Sequence, residues 1–94
     1  MRRELDAITL LTRALGVNAR AAGLRLDAEG ARARSWMSAT FVGEQVEVTL
    51  RITGGGAAEW LATLTETDLP MRGWYVADLE LRGAELRALV LQDA

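Results

Sequence analysis

A run of eight residues in the middle of the chain alternates strictly between apolar and polar side chains. Its apolar members are Val46, Val48, Leu50 and Ile52, and its polar members are Glu47, Thr49, Arg51 and Thr53. Because successive side chains of a β-strand point to opposite faces of the sheet, this alternation predicts a strand. One face of that strand is expected to be buried and the other to be solvated.

Two segments have the three- and four-residue spacing of apolar side chains that is typical of amphipathic helices. The first runs from Arg2 to about Ala22, and Gly23 follows at the position of a left-handed C-cap. The second follows Gly54-Gly55-Gly56 and ends at Asp68-Leu69-Pro70, since the residue before a proline is disfavoured in a helix. The predicted apolar stripes are Leu5, Ile8, Leu11 or Thr12, and Leu15 in the first helix, and Ala57, Trp60 or Leu61, and Leu64 in the second.

Weaker patterns predict the remaining strands. A first strand is placed at about 23–28, and 28–38 is interpreted as a long loop because it has no clean period. Phe41 and Val42 are candidates for extending the central strand backwards, with Gly43 as a bulge. A strand at about 72–82 is joined by a short turn to a last strand over 85–91, which predicts an antiparallel hairpin. Alternation in 72–82 places Tyr75, Ala77, Leu79 and Leu81 on one face and Trp74, Val76, Asp78, Glu80 and Arg82 on the other.

The predicted elements follow the order helix, strand, strand, helix, strand, strand. Two such αββ units side by side form one four-stranded antiparallel sheet with both helices on one face. The sequence therefore predicts an α+β fold of the ferredoxin-like architecture, in a permuted order. Its 94 residues form a single domain, 1–94.

The residue types that commonly carry catalysis or bind metals are scarce. The chain has neither cysteine nor histidine, which excludes thiol nucleophiles, cysteine and histidine zinc sites and the usual general base. The carboxylate pairs Glu44/Glu47 and Asp78/Glu80 are spaced like solvated residues on a strand face. Gly54–Gly56 resembles a phosphate-binding turn only in part, because no lysine follows it. We therefore expect no enzyme activity, no metal and no cofactor.

Charge and hydropathy exclude other function classes. Eleven basic and thirteen acidic residues are mixed along the chain, whereas nucleic-acid binding normally needs a basic stripe. The longest apolar runs are far shorter than the ~20 residues that span a bilayer. We expect a soluble domain that binds neither nucleic acid nor membrane, and whose partners are other protein chains rather than small molecules.

Large apolar side chains that the pattern cannot bury predict where such partners bind. Trp36 and Met37 lie in the aperiodic segment, and Trp74 lies on a charged strand face, while interfaces are enriched in Trp and Met. Leu11 and Leu15 on the amphipathic first helix are further candidates. These five residues are the predicted interface.

The chain resembles the periplasmic domain of PilO and its relative GspM, which belong to the inner-membrane platform of type IV pilus and type II secretion machines. The resemblance is carried, in order, by Ala22-Gly23-Leu24, Val46–Gly54, Ala58–Leu64, Leu69-Pro70, Val76–Leu81 and Glu85–Leu91. It implies a ferredoxin-like domain without catalytic activity that forms homodimers or heterodimers with sister platform proteins. It also implies a location at the periplasmic face of the bacterial inner membrane, with a membrane anchor that this chain does not carry. The alternative is a regulatory ferredoxin-like domain that binds a small molecule at the Gly54–Gly56 turn.

Overall fold

The computed structural model describes residues 6–93, which form two helices and one four-stranded sheet. The elements are α1 (Ala7–Ala21), β1 (Arg25–Met37), β2 (Val42–Thr53), α2 (Ala57–Thr63), β3 (Trp74–Arg82) and β4 (Glu85–Gln92), with a 3-10 turn over Leu64–Glu66 after α2. The predicted start of the first helix at Arg2, and its Leu5, lie outside the described residues. Among residues 6–93, no helix has the length and apolar content needed to cross a membrane.

Local signals fix both ends of α1. The Asp6 side chain accepts a hydrogen bond of 2.8 Å from the backbone N–H of Thr9, which satisfies one of the free donors of the first turn. That hydrogen bond also lowers the pKa of Asp6, because it stabilises the charged carboxylate. At the other end Gly23 adopts φ +79° and the N–H of Leu24 reaches back to the carbonyl of Ala19. This is the predicted glycine C-cap, in the form of a Schellman motif.

The sheet has the order β1-β2-β4-β3, and all its pairs are antiparallel. Both helices pack on one face, where a single apolar core joins Leu11 of α1, Trp60 of α2 and Val48 of β2. The Trp60 Nε1–H also donates a 2.8 Å hydrogen bond to Asn18 Oδ1, which links the two helices directly. The αββαββ order and this sheet confirm the predicted ferredoxin-like α+β fold.

The central strands confirm the predicted strand at Val46–Thr53 and its buried face. Val46, Val48 and Leu50 of β2 are buried against the helices, and Leu86, Ala88 and Val90 of β4 line the same side. The predicted bulge at Gly43 is wrong, because Gly43 pairs in unbroken register with Trp36 and Leu91. Position 43 requires a glycine for a steric reason instead. A Cβ there would overlap the carbonyl oxygen of Val90 and lie 2.9 Å from Leu91 Cα.

The predicted loop over 28–38 is also wrong, because β1 continues to Met37. The sequence of residues 28–38 lacks the apolar alternation of a strand for two reasons. The register shifts between Ala28 and Gly30, so that Glu29 is an extra residue and the side chains on either side of it change faces. Moreover, residues 27–35 are exposed on both faces, so no apolar alternation is needed to fill a core.

A second bulge corrects the predicted faces of β3. The register shifts between Val76 and Asp78, which makes Ala77 the extra residue. As a result Trp74 and Val76 lie on the helix side together with Leu79 and Leu81, and all four pack against the core. Trp74 is therefore not on the charged face, whereas Tyr75 is.

Candidate interaction surface

Exposed apolar side chains collect where β1 turns into β2. Met37 and Val42 are paired across the hairpin and are 75% and 48% exposed, and Phe41 in the turn between them is 46% exposed. Ser38 holds this turn, since its Oγ accepts hydrogen bonds from the N–H groups of Thr40 and Phe41. We call the set Trp36, Met37, Phe41, Val42 and Tyr75 the apolar patch. It wraps around this end of the sheet, because the half-buried Trp36 and the exposed Tyr75 lie on the open face and Met37 and Val42 lie on the helix side.

One row of side chains continues the patch across the sheet face that is opposite the helices. Trp36, Gly43, Leu91 and Tyr75 are consecutive partners in the register of β1, β2, β4 and β3. Leu91 is only 5% exposed although it lies outside the helix-side core, and its Cδ2 lies where a side chain of residue 43 would begin. Trp36 and Tyr75 flank this leucine. The patch therefore rests on ordered strand positions.

The structure separates the five predicted interface residues into three groups. Trp36 and Met37 lie together in the apolar patch. Leu11 and Leu15 are fully buried and present no side chain to a partner, whereas Trp74 packs against the core and remains partly exposed. The prediction of Leu11 and Leu15 as interface residues is therefore wrong, because α1 uses its apolar stripe to cover the sheet; Trp74 as an interface residue stays a prediction.

Sequence reasoning missed Phe41, Val42 and Tyr75 as members of the patch. The signal for the first two was available, because Trp36-Met37 and Phe41-Val42 flank a short polar segment, Ser38–Thr40. Two apolar pairs around such a segment are typical of a hairpin. Tyr75 was assigned to the buried face because the bulge at Ala77 was not recognised.

The rest of the open sheet face is polar except for the half-buried Leu89, and a row of its charges alternates in sign. Arg32, Glu47, Arg87 and Glu80 are consecutive partners across the four strands. Glu47 is held from both sides, at 2.7 Å by Arg32 Nε and at 3.0 Å by Arg87 Nη2. The hydrogen bond from Arg32 is the main reason why the pKa of Glu47 lies below its usual value.

The lowered pKa of Glu47 predicts an acid-side loss of stability. A carboxyl with a folded-state pKa below its unfolded value stabilises the fold above the ordinary glutamate pKa of about 4.3, and this stabilisation is lost as the pH falls through the folded-state pKa. Glu47→Gln should therefore be less stable than the unmodified chain at neutral pH, and the difference should shrink under acid. Urea unfolding midpoints measured from neutral pH downward test this. A constant difference at every pH would contradict it.

The groove on the open face, the Gly54–Gly56 turn and the carboxylates are weaker candidates for binding a small ligand. A groove of about 420 Å³ lies on the open face, but its charged lining is mixed in sign: Glu47 engages Arg32 and Arg87, and Arg82 shares the groove with Glu80 and Glu85. At Gly54–Gly56 the helix that follows has only seven residues. The carboxylates Glu44 and Glu47 belong to opposite sheet faces, so they do not form a pair. Within residues 6–93, no three acidic side chains are gathered as a metal site would require.

The apolar patch is thus the feature of the described surface that fits a binding role best. It combines residues of β1, β2 and β3 that are far apart in sequence and share one end of the sheet. No family model matches the chain, and neither a curated protein nor a solved structure matches it.

Proposed function

We propose that this chain is a non-catalytic protein–protein interaction domain that binds a second copy of itself or a sister protein. The observation that carries the proposal is the apolar patch. Five large apolar side chains are exposed among residues 6–93, and four of them belong to it: Met37, Phe41, Val42 and Tyr75. Exposed apolar residues gathered at one place mark binding surfaces more often than scattered ones do.

The composition of the patch supports protein partners in particular. Aromatic residues and methionine are enriched at the centres of protein interfaces. Trp36 and Tyr75 offer large faces with few rotatable bonds, and Met37 adapts to irregular surfaces. The ion pairs of Glu47 and the other charges of the open face provide a polar border beside it.

The more specific proposal follows from the resemblance to the PilO and GspM domains. In that case the chain works in the inner-membrane platform of a type II secretion or type IV pilus machine, at the periplasmic face, by homo- or heterodimerisation. The ferredoxin-like αββαββ fold is compatible with that role but is shared by domains of many functions, so fold alone does not select it. The alternative small-molecule regulatory domain is supported less, because the glycine turn precedes a helix of only seven residues and the charges that line the groove are mixed in sign.

Met37→Asp should weaken binding to the partner by about tenfold or more, which corresponds to at least about 1.4 kcal/mol. The physical reason is that a carboxylate buried in an apolar contact loses its hydration without gaining a partner. The measurement is a titration of the purified chain against itself and against the soluble domains of the proteins encoded beside it, by biolayer interferometry.

Val17→Asp is the matched control, since Val17 is 67% exposed on α1 and lies outside the patch. It should leave every binding constant unchanged. If Met37→Asp binds all these proteins as well as the unmodified chain does, the patch is not the interface. If the unmodified chain binds neither itself nor any of them, the proposed function is wrong.

A further inference from the structure

The edge strand β1 is open to solvent over most of its length. Residues 27–35 are all exposed, and within residues 6–93 β1 has a neighbour only on one side, because the sheet begins with it. An edge strand with free backbone groups is a ready template for another strand, and natural proteins usually shorten or cover such edges. Here the 13 residues of β1 make it the longest strand of the sheet.

The hairpin geometry identifies which backbone groups of β1 face outward. The N–H of Ser38 donates to the carbonyl of Phe41, so Ser38 and Phe41 form a hydrogen-bonded pair. Such pairs alternate along an antiparallel ladder, so Trp36, Arg34 and Arg32 direct their backbone groups toward β2. The residues between them, Ala31, Ala33 and Ser35, therefore direct their N–H and C=O groups away from the sheet.

The charges of β1 are ordered in a way that suits antiparallel pairing with an identical strand. Asp27 and Glu29 lie before the middle of the strand, and Arg32 and Arg34 lie after it. The bulge at Glu29 places the side chains of Asp27 and Arg34 on the same sheet face. Their partners on β2 are Arg51 and Gln45, which lie an even number of residues apart and therefore share one face. A two-fold axis at Ala31 would then place Asp27 directly opposite Arg34 of the second copy.

We propose that two copies of this chain join through β1, antiparallel about a two-fold axis at Ala31, into one continuous eight-stranded sheet. This inference rests on the proposed pairing function and names its partner as a second copy. The axis repeats the Asp27–Arg34 contact on both sides, and Ala31 exchanges hydrogen bonds with its own copy. The side chains of Ala31 and Ala33 are small and add little bulk to the helix side of the new strand pair.

The same charges oppose other arrangements. Parallel pairing of β1 with its copy sets Asp27 against Asp27 and Arg34 against Arg34, which is unfavourable for cross-strand neighbours. Pairing through β3 is opposed as well, because an antiparallel copy of β3 about Leu79 sets Asp78 against Glu80. A β1-to-β3 contact is heterologous, so it would give rings or open chains of molecules rather than a two-fold dimer.

Charge exchange tests the register. In sedimentation equilibrium, Arg34→Asp and Asp27→Arg should each weaken the dimer by about tenfold or more, since each creates two like-charge contacts, and about 1.4 kcal/mol is a factor of ten. The double variant Asp27→Arg/Arg34→Asp should restore dimerisation. Both residues are exposed. Asp27 has one contact in the monomer, at 3.5 Å from Arg25 Nε, and among residues 6–93 Arg34 has no carboxylate within ion-pair distance. Because exposed ion pairs contribute little to stability, the monomer fold should survive each change. Circular dichroism of every variant checks this.

Ala33→Pro gives an independent test of the backbone pairing. Its N–H points outward, so proline removes a donor that only the second copy would use. A monomeric, folded Ala33→Pro variant together with recovery in the double charge variant supports the inference. A dimer that survives all four variants, or a double variant weaker than either single one, overturns the register and leaves the pairing function intact. A chain that binds sister proteins but not itself also overturns it.

Discussion

Leu11→Ala is expected to lower the free energy of unfolding by about 2–5 kcal/mol, the usual cost of removing a large side chain from a packed core. Leu11 is fully buried between α1 and the sheet and belongs to the core with Val48 and Trp60. Small domains have a total stability of about 5–15 kcal/mol, so this single change removes a large share. Urea denaturation followed by tryptophan fluorescence measures the loss.

Val17→Ala is the control for this change, because it lies on the same helix and is 67% exposed. Its free energy of unfolding should change little, since alanine also favours the helix. The pair separates a core role of Leu11 from a general effect on α1. A negligible loss for Leu11→Ala would mean that α1 does not cover the sheet, and Leu11 would return as an interface candidate.

Gly43→Ala is expected to cost about 1–3 kcal/mol or more, although only one methyl group is added. The new Cβ would overlap the Val90 carbonyl oxygen and lie 2.7 Å from Leu91 Cδ2. The side chain of Leu91 can turn, but the carbonyl oxygen belongs to β4 and cannot move without separating β2 from β4. The strands would be forced apart beside the apolar patch. Thermal unfolding followed by circular dichroism records the loss as a lower midpoint.

Gly30→Ala provides the matched comparison. Gly30 lies in β1 on the same open face, and a Cβ there meets no atom within 4 Å. This substitution should be neutral or slightly stabilising, because alanine loses less backbone freedom on folding. Equal melting temperatures for the two variants would refute the close approach of β2 and β4 at Gly43.

The sequence contained enough information to predict the fold but not all its strands. The alternation from Val46 to Thr53 identified β2 because its two faces meet different environments. The glycine at 23 and the apolar stripe through Leu11 and Leu15 identified α1 in the same way. Each of these signals records a contrast between burial and exposure, and together they were sufficient to predict the αββαββ order.

Two bulges explain most of what was missed. Glu29 in β1 and Ala77 in β3 each reverse the side-chain alternation within a strand, so no single period describes either strand. The bulge at Ala77 also hid the difference between Trp74, which packs against the core, and Tyr75, which faces outward. A bulge depends on the pairing of two distant segments, and a pattern within one segment does not reveal it.

The prediction of the interface residues also depended on knowing which side chains the fold buries. Trp36 and Met37 were selected because their segment lacked a period, and the structure places both in the apolar patch. Leu11 and Leu15 were selected from an amphipathic helix, but such a stripe does not reveal whether it covers the chain's own sheet or a partner. Only the packed fold decides between these uses.

The central claim is that this chain works by pairing, and the molar mass in solution tests it most directly. Multi-angle light scattering of the purified chain over a wide range of concentrations should give the mass of one chain when dilute and approach twice that mass as the concentration rises. The same series with Arg34→Asp should need an about tenfold higher concentration to approach the doubled mass. If the unmodified chain keeps the mass of one chain at every concentration, pairing with itself is contradicted.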